Sequence, residues 1–174
     1  MTPHTDAITE AAAAYHGVPY ERQVCTVHVA RVLRDVGVLQ LTEAAWAALN
    51  IHDHRFPWSP PFEARRQLPG AVLVDHLGRV AGEVGPQLPT TGRWHLCQGW
   101  QTLSGLDGTV DVTTDRGHCF LWYATSPTEG FTVESQPGSG PTTWGPGLWA
   151  TRTRIYRAGV AWCVLPELPA REVS

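Results

Sequence analysis

Cys25 and His118 are the residues whose types and positions in this chain could carry out a reaction. Cys25 follows a loop, residues 17–24, and begins a segment whose apolar side chains repeat at three- and four-residue spacing. This spacing predicts a helix over Cys25–Val36 with the thiol on the apolar stripe. The free N–H groups and the dipole at a helix N-terminus stabilise a thiolate, the nucleophilic form of cysteine. The alternative is an inert buried cysteine, which is a common state of free cysteines.

A histidine at the beginning of an apolar run supplies a candidate base for Cys25. His118 follows a polar turn, and a hairpin then returns the chain along residues 131–136. Because side chains alternate along a strand, Glu134 and Gln136 share one face and would approach His118. A carboxylate or amide oxygen there would accept the imidazole N–H and fix its tautomer. Both residues are therefore candidates for the third position, and Glu134 is preferred.

Helical patterns come first along the chain, and strand patterns come second. Besides the Cys25 helix, helices are predicted over Thr5–Tyr15 and Glu43–Leu49, with Thr42 as the N-cap of the latter. Apolar runs bounded by glycine and proline predict strands over Ala71–Val74, Arg93–Trp100, His118–Ala124, Phe131–Gln136 and Ala158–Leu165. This order is typical of an α+β protein whose N-terminal helices pack on an antiparallel sheet. A chain of 174 residues is expected to form a single domain, residues 1–174.

Composition and charge argue against several classes of partner. The formal net charge is −3 and no basic run is present to follow phosphates, so nucleic-acid binding is not expected. The first residues lack the pattern of a secretory signal, and no segment has the length and apolarity of a membrane span. We therefore expect a protein that is cytoplasmic as synthesised and does not bind membranes. The four cysteines form no Cys-x-x-Cys pair, which favours free thiols, with a disulfide as the alternative.

Two other groups of residues compete with Cys25 and His118 as a site. His52 and His54 flank an aspartate, but further ligands at usable spacing are not evident, so a solvated loop is preferred over a metal site. Neither a metal nor a cofactor is expected. His95 and Cys97 share a strand face and would form a second dyad, but a mid-strand thiol lacks the activation of a helix N-terminus.

Four short segments occur in an order that is typical of one superfamily. They are Gly17-Val-Pro-Tyr20, the Cys25–Gly37 helix, Pro69-Gly-Ala-Val-Leu-Val74 and Gly117-His-Cys-Phe-Leu-Trp122. Together they resemble the papain-like cysteine peptidases and amidases of the NlpC/P60 and CHAP type. This chain departs from that pattern at Ala71, where the family usually has aspartate, and at the residues that flank the cysteine.

The resemblance implies a papain-like (NlpC/P60-type) core and a thiol hydrolase that cleaves amide bonds, with Cys25 as nucleophile and His118 as base. It also implies that Tyr20 assists the backbone N–H of Cys25 at the oxyanion site, with a packing role for this tyrosine as an equal alternative. The aromatic loop Phe56–Phe62 would line the substrate groove.

The family's usual substrate is peptidoglycan peptide, so a bacterial or phage enzyme acting on a peptide or muropeptide is the first expectation. Association with a phage, or a partner that delivers the enzyme or confers immunity to it, would fit the lack of an export signal. The oligomeric state is not predicted. The alternative, suggested by eight tryptophans, is a non-catalytic binding or virion-associated protein that retains the scaffold.

Overall fold

The computed structural model describes residues 6–49, 73–74, 88–100, 117–154 and 159–168. The helices are α1 (Ala7–Ala13), α2 (Cys25–Asp35), α3 (Glu43–Leu49) and α4 (Trp149–Thr153), and a short 3-10 helix spans Tyr20–Arg22. The strands are β1 (Leu73–Val74), β2 (Trp94–Trp100), β3 (Gly117–Ala124), β4 (Glu129–Gln136), β5 (Gly140–Leu148) and β6 (Gly159–Val164).

The strands form one sheet in the order β1-β6-β2-β3-β4-β5, and every pair in it is antiparallel. Strands β2, β3, β4 and β5 follow one another in the sheet as they do along the chain, whereas β6 returns to pair between β1 and β2. In β3 and β4 the register pairs Leu121 with Val133. The predicted α+β class with an antiparallel sheet is confirmed.

Helix α2 packs on one face of the sheet, which we call the α2 face. Its valine and leucine side chains recur at helical spacing and pack with α1 against alternate strand residues; the buried members include Ile8, Val29, Leu33, Leu96, Leu121 and Val133. The helix ends where Gly37, at φ +74°, adopts a left-handed conformation that is easily reached only by glycine. This packing fixes the height of the N-terminus of α2 above strands β3 and β4.

The opposite side of the sheet, the α4 face, carries the remaining alternate side chains of the central strands. Phe120 and Trp122 of β3 are buried there, and Trp149 of α4 packs on Trp122 with ring centroids 5.2 Å apart. Trp162 of β6 joins the same cluster. The sheet therefore has an apolar cluster on each side, with α2 on one face and α4 on the other.

Several elements differ from the sequence expectations in extent or were not expected. Helix α1 ends at Ala13 rather than at the predicted Tyr15, and it begins after Asp6 because this side chain caps it by accepting from the N–H groups of Ile8 and Thr9. Strand β5 and helix α4 were not predicted. The aromatic loop Phe56–Phe62 lies outside the described residues, as does all of the Ala71–Val74 strand before Leu73. None of the described helices has the length and apolarity needed to cross a membrane.

Candidate active site

Cys25 is the first residue of α2, and its thiol faces His118. The preceding residue, Val24, offers no side-chain acceptor to cap the helix, so the amide N–H groups of the first turn are not bound by a capping side chain. Burial by itself would raise the pKa of the Cys25 thiol. Hydrogen bonding to His118, its positive charge and the backbone N–H groups of Cys119 and Thr26 outweigh burial and lower this pKa below 9.0. The thiol is thus set to ionise in contact with an imidazole.

His118 is the second residue of β3 and contacts both Cys25 and Glu134. Its Nε2 lies 2.8 Å from Oε2 of Glu134, which leaves Nδ1 as the ring nitrogen available to Cys25. Burial would lower the pKa of His118, but hydrogen bonds to Cys25 and Glu134, together with their negative charges, raise it to about 9. The protonated ring is therefore stabilised on both sides by an anion.

Glu134, rather than Gln136, occupies the position next to the His118 ring. Its side chain is 3 % exposed, and burial alone would raise its pKa. The hydrogen bond from His118, the charge of Arg152 and a hydrogen bond from Gln136 lower this pKa below 4.5. Gln136 therefore contacts the carboxylate instead of the imidazole, and the carboxylate remains ionised.

Arg152, on α4, makes a second charged contact with Glu134. An Nη2 hydrogen of Arg152 is donated to the same oxygen, Oε2, that accepts from His118. The guanidinium lies over the Phe120 ring, 4.5 Å from its centroid, and the imidazole of His118 stacks on this ring at 6.0 Å. Arg152 was not predicted as a site residue, because α4 is short and the contact of Arg152 with β4 is a tertiary one that leaves no local pattern in the sequence.

Tyr20 lies in the 3-10 helix that precedes Cys25. Burial, and then the negative charge of Cys25, raises the pKa of its hydroxyl above 10.0, so the hydroxyl stays protonated beside the thiolate. The start of β5 closes on this loop: a Cβ on Gly140 would lie 2.6 Å from the carbonyl oxygen of Val18. Tyr20 therefore lies within electrostatic range of the sulfur, on a segment that the start of β5 packs against.

The loop before Cys25 is tied to the sheet and to α2 by Gln23, which the sequence analysis did not single out. The hydroxyl of Ser135 in β4 donates to the backbone carbonyl of Gln23 at 2.6 Å. The buried amide of Gln23 lies 2.8 Å from Nδ1 of His28 and accepts a hydrogen bond from Arg31. These bonds connect the entry of α2 to β4, the strand that also carries Glu134.

The rival dyad of His95 and Cys97 has no comparable activation. Nε2 of His95 accepts a hydrogen bond from the backbone N–H of Thr90 at 2.9 Å, and Nδ1 lies 3.2 Å from the Trp122 carbonyl oxygen. Both ring nitrogens are therefore occupied by backbone groups. Burial raises the pKa of the Cys97 thiol well above 9.0. His52 and His54 lie outside the described residues, and within the described ranges no three His, Cys, Asp or Glu side chains form a potential metal site.

The chemistry available to this arrangement is that of an activated thiol beside a proton donor and acceptor. The thiolate is stabilised by helix N-terminal and strand amides, the imidazole bonds to a carboxylate, and a protonated tyrosine lies within electrostatic range of the sulfur. Comparisons with family models, with curated proteins and with solved structures found nothing that matches this chain.

Proposed function

We propose that this protein is a cysteine hydrolase of the NlpC/P60–CHAP type that cleaves amide bonds in peptides or muropeptides. The observation that carries the proposal is the continuous contact from Cys25 through His118 to Glu134. A nucleophile, a base bonded to it and a residue that orients the base are the parts that amide hydrolysis by a thiol requires.

In the first half of the proposed reaction, the Cys25 thiolate attacks the amide carbonyl carbon. The Tyr20 hydroxyl and the backbone N–H of Cys25 stabilise the negative charge that develops on the carbonyl oxygen. His118 is protonated at neutral pH because its pKa is about 9. It gives this proton to the leaving amine as the carbon–nitrogen bond breaks, which leaves a thioester on Cys25.

In the second half, the neutral imidazole of His118 removes a proton from water, and the resulting hydroxide attacks the thioester. The carboxylic acid product leaves, and the thiolate–imidazolium pair is restored. Glu134 remains an anion throughout, orients the ring through its Nε2–H and stabilises the imidazolium each time it forms.

The arrangement of the secondary structure supports a papain-like core. A helix that begins with the nucleophile packs on an antiparallel sheet, and the central strand β3 begins with the histidine. This is the placement that the resemblance of residues 17–20, 25–37 and 117–122 implies. The remaining matching segment, residues 69–74, is described only at Leu73–Val74.

We propose fragments of peptidoglycan or free peptides, rather than intact cell walls, as the substrate class. The chain has a formal net charge of −3, which gives no general attraction to anionic wall polymers. Delivery by a partner or association with a phage would bring the enzyme to such a substrate.

A non-catalytic binding protein is the competing proposal, and it rested on the tryptophan content. Four tryptophans are buried in the clusters on the two sheet faces, namely Trp94, Trp122, Trp149 and Trp162. Packing therefore explains them without a binding surface, although Trp144 is 49 % exposed. A binding protein also has no use for an ionised thiol held against an imidazolium, so the hydrolase is preferred.

A thiol-directed alkylating probe tests the nucleophile without knowledge of the substrate. Cys97, Cys119 and Cys163 are buried and serve as internal controls in the same protein. Peptide mapping by mass spectrometry should find the label on Cys25 first. The alkylation rate of Cys25 should stay high below pH 9. Equal, slow labelling of all four thiols would refute the proposed nucleophile.

The reaction itself is tested by incubating the wild type and Cys25→Ala with purified peptidoglycan, soluble muropeptides and a peptide library. Mass spectrometry should detect newly formed amine and carboxylate ends with the wild type alone, and faster release from soluble fragments than from intact sacculi. Identical products from the two proteins would exclude Cys25 from the reaction.

A further inference from the structure

The position of Arg152 is determined by the packing of helix α4 on the α4 face of the sheet. Helix α4 is anchored by Trp149, which is buried against Trp122 of β3. One turn later, Arg152 lies on the same side of the helix, where its guanidinium rests on Phe120. Its side chain is 13 % exposed, so this cation is largely removed from water.

The Glu134 carboxylate is shared by two cationic side chains that belong to different elements. His118 reaches Oε2 from β3, and Arg152 reaches the same oxygen from α4. Gln136 bonds to the carboxylate from its own strand, and the carboxylate also acts through space on His28 of α2. Negative and positive side chains thus alternate along a row that is contributed by α2, β3, β4 and α4: Cys25, His118, Glu134 and Arg152.

We infer that Arg152 is a positioning residue, which holds Glu134 ionised and aimed at His118 so that helix α4 sets the strength of the Cys25–His118 pair. This inference rests on the proposed function for its catalytic meaning, but its physical content concerns only the ionisation of Cys25. Arg152 bonds to Oε2 of Glu134, and this oxygen accepts from His118, so the path from Arg152 to the pair runs through the carboxylate.

The reason is the cost of a buried anion. A carboxylate with 3 % of its side chain exposed has lost nearly all its hydration, and a single imidazolium compensates it only while that ring is protonated. During the proposed reaction His118 gives up its proton. A guanidinium group is a permanent cation, so Glu134 retains a cationic partner when His118 becomes neutral. Without Arg152, the carboxyl group would take up a proton more readily and support the imidazolium less.

The test compares Arg152→Gln with Arg154→Gln, in which a neighbouring exposed arginine is changed. The first readout is the alkylation rate of Cys25 against pH, which needs no substrate. Arg152→Gln is expected to slow alkylation at neutral pH about three- to tenfold, a fraction of what a directly adjacent charge would cause. The acid limb of the curve of alkylation rate against pH should move to higher pH. Arg154→Gln should match the wild type, and Arg152→Lys should recover part of the loss because it restores the charge.

A double-mutant cycle separates action through Glu134 from general damage and covers the case in which Arg152→Gln alone fails to fold. In a Glu134→Gln background the anion through which Arg152 acts is absent, so the added Arg152→Gln substitution should leave the alkylation profile unchanged. An equal loss in both backgrounds would overturn the inference, as would a folded Arg152→Gln protein with the alkylation profile of the wild type.

Substrate kinetics distinguish this inference from the proposed function. Arg152→Gln should lower kcat, narrow the pH–rate profile and leave KM nearly unchanged. A lower kcat with no shift in either limb of the pH–rate profile would contradict the inference. If the wild type cleaves no amide but the alkylation profile still depends on Arg152 through Glu134, the hydrolase proposal fails while the inference stands. If the wild type is active and Arg152 is silent in both assays, the inference fails while the hydrolase proposal stands.

Discussion

Replacement of His118 by glutamine tests the ion pair at the centre of the site. The substitution keeps a polar side chain of similar size but removes the positive charge that faces Cys25. The thiol then retains only the backbone N–H groups of Cys119 and Thr26 against the effect of burial, which opposes ionisation. The pKa of Cys25 is therefore expected to rise, and thiolate to become scarce at neutral pH.

The size of the effect follows from His118 itself. Its pKa rises from 6.5 to about 9, which corresponds to about 3 kcal/mol of preferential interaction with the protonated ring. The two stabilising partners are Cys25 and Glu134. Because coupling is reciprocal, the imidazolium favours the thiolate by as much as the thiolate favours the imidazolium. With about half of the effect assigned to Cys25, loss of His118 should reduce thiolate at neutral pH about tenfold or more.

The assay is the alkylation rate of Cys25 across pH, with His16→Gln as a matched control because His16 is exposed. Urea unfolding gives an independent check. The raised pKa of His118 contributes stability that is complete below pH 6.5 and is lost as pH rises through about 9, so the variant should be less stable than the wild type mainly below that range. Unchanged alkylation in folded His118→Gln would refute the ion pair.

Three further outcomes are expected. Tyr20→Phe should lower kcat about ten- to a hundredfold with little change in KM or in unfolding free energy, since it removes one oxyanion donor; an unchanged kcat would leave the tyrosine a packing role. Glu134→Ala should cost about 3 kcal/mol of unfolding free energy, because it removes the buried carboxylate to which both His118 and Arg152 bond, whereas Gln136→Ala should cost far less in the same urea titration. Burial lowers the pKa values of His28 and His95 to about 4, so the free energy of unfolding should fall as pH drops from 6.5 toward 4. Glutamine at either position should weaken this pH dependence. A urea midpoint that does not change over that pH range would contradict the prediction.

The parts of the site that lie on regular elements were accessible from sequence because local spacing dictates them. The three- and four-residue spacing of apolar side chains after Cys25 specified α2 to within one residue of its observed end at Asp35. Alternation along β4 placed Glu134 and Gln136 on one face. Sequence favoured Glu134 but left Gln136 open, because the choice depends on tertiary contacts that α4 makes with this face of the sheet.

Other parts were not predictable because they depend on contacts between distant segments. Strand β5 contains glycines and prolines that argue against a central strand, yet it lies at the edge of the sheet, where such residues are tolerated. Helix α4 is a single short turn stabilised by Trp149 rather than by periodicity. Arg152 lies on α4, which directly follows β5, and neither element has a clear sequence pattern. The pairing of Arg152 with Glu134 was therefore not predictable from the sequence.

The position of His118 in its strand explains how one row of charges can connect the two faces of the sheet. Inside a strand, a side chain on the α4 face is separated from α2 by the backbone, as Phe120 is. His118 lies near the beginning of β3, where it stacks on Phe120 and yet bonds to Cys25 at the start of α2. The next residue, Cys119, has its side chain on the α2 face, and its backbone N–H bonds to the same sulfur. A shift of α2 by one turn along its axis, about 5.4 Å, would separate the thiol from both groups, so the packing of α2 is itself a requirement for an ionised Cys25.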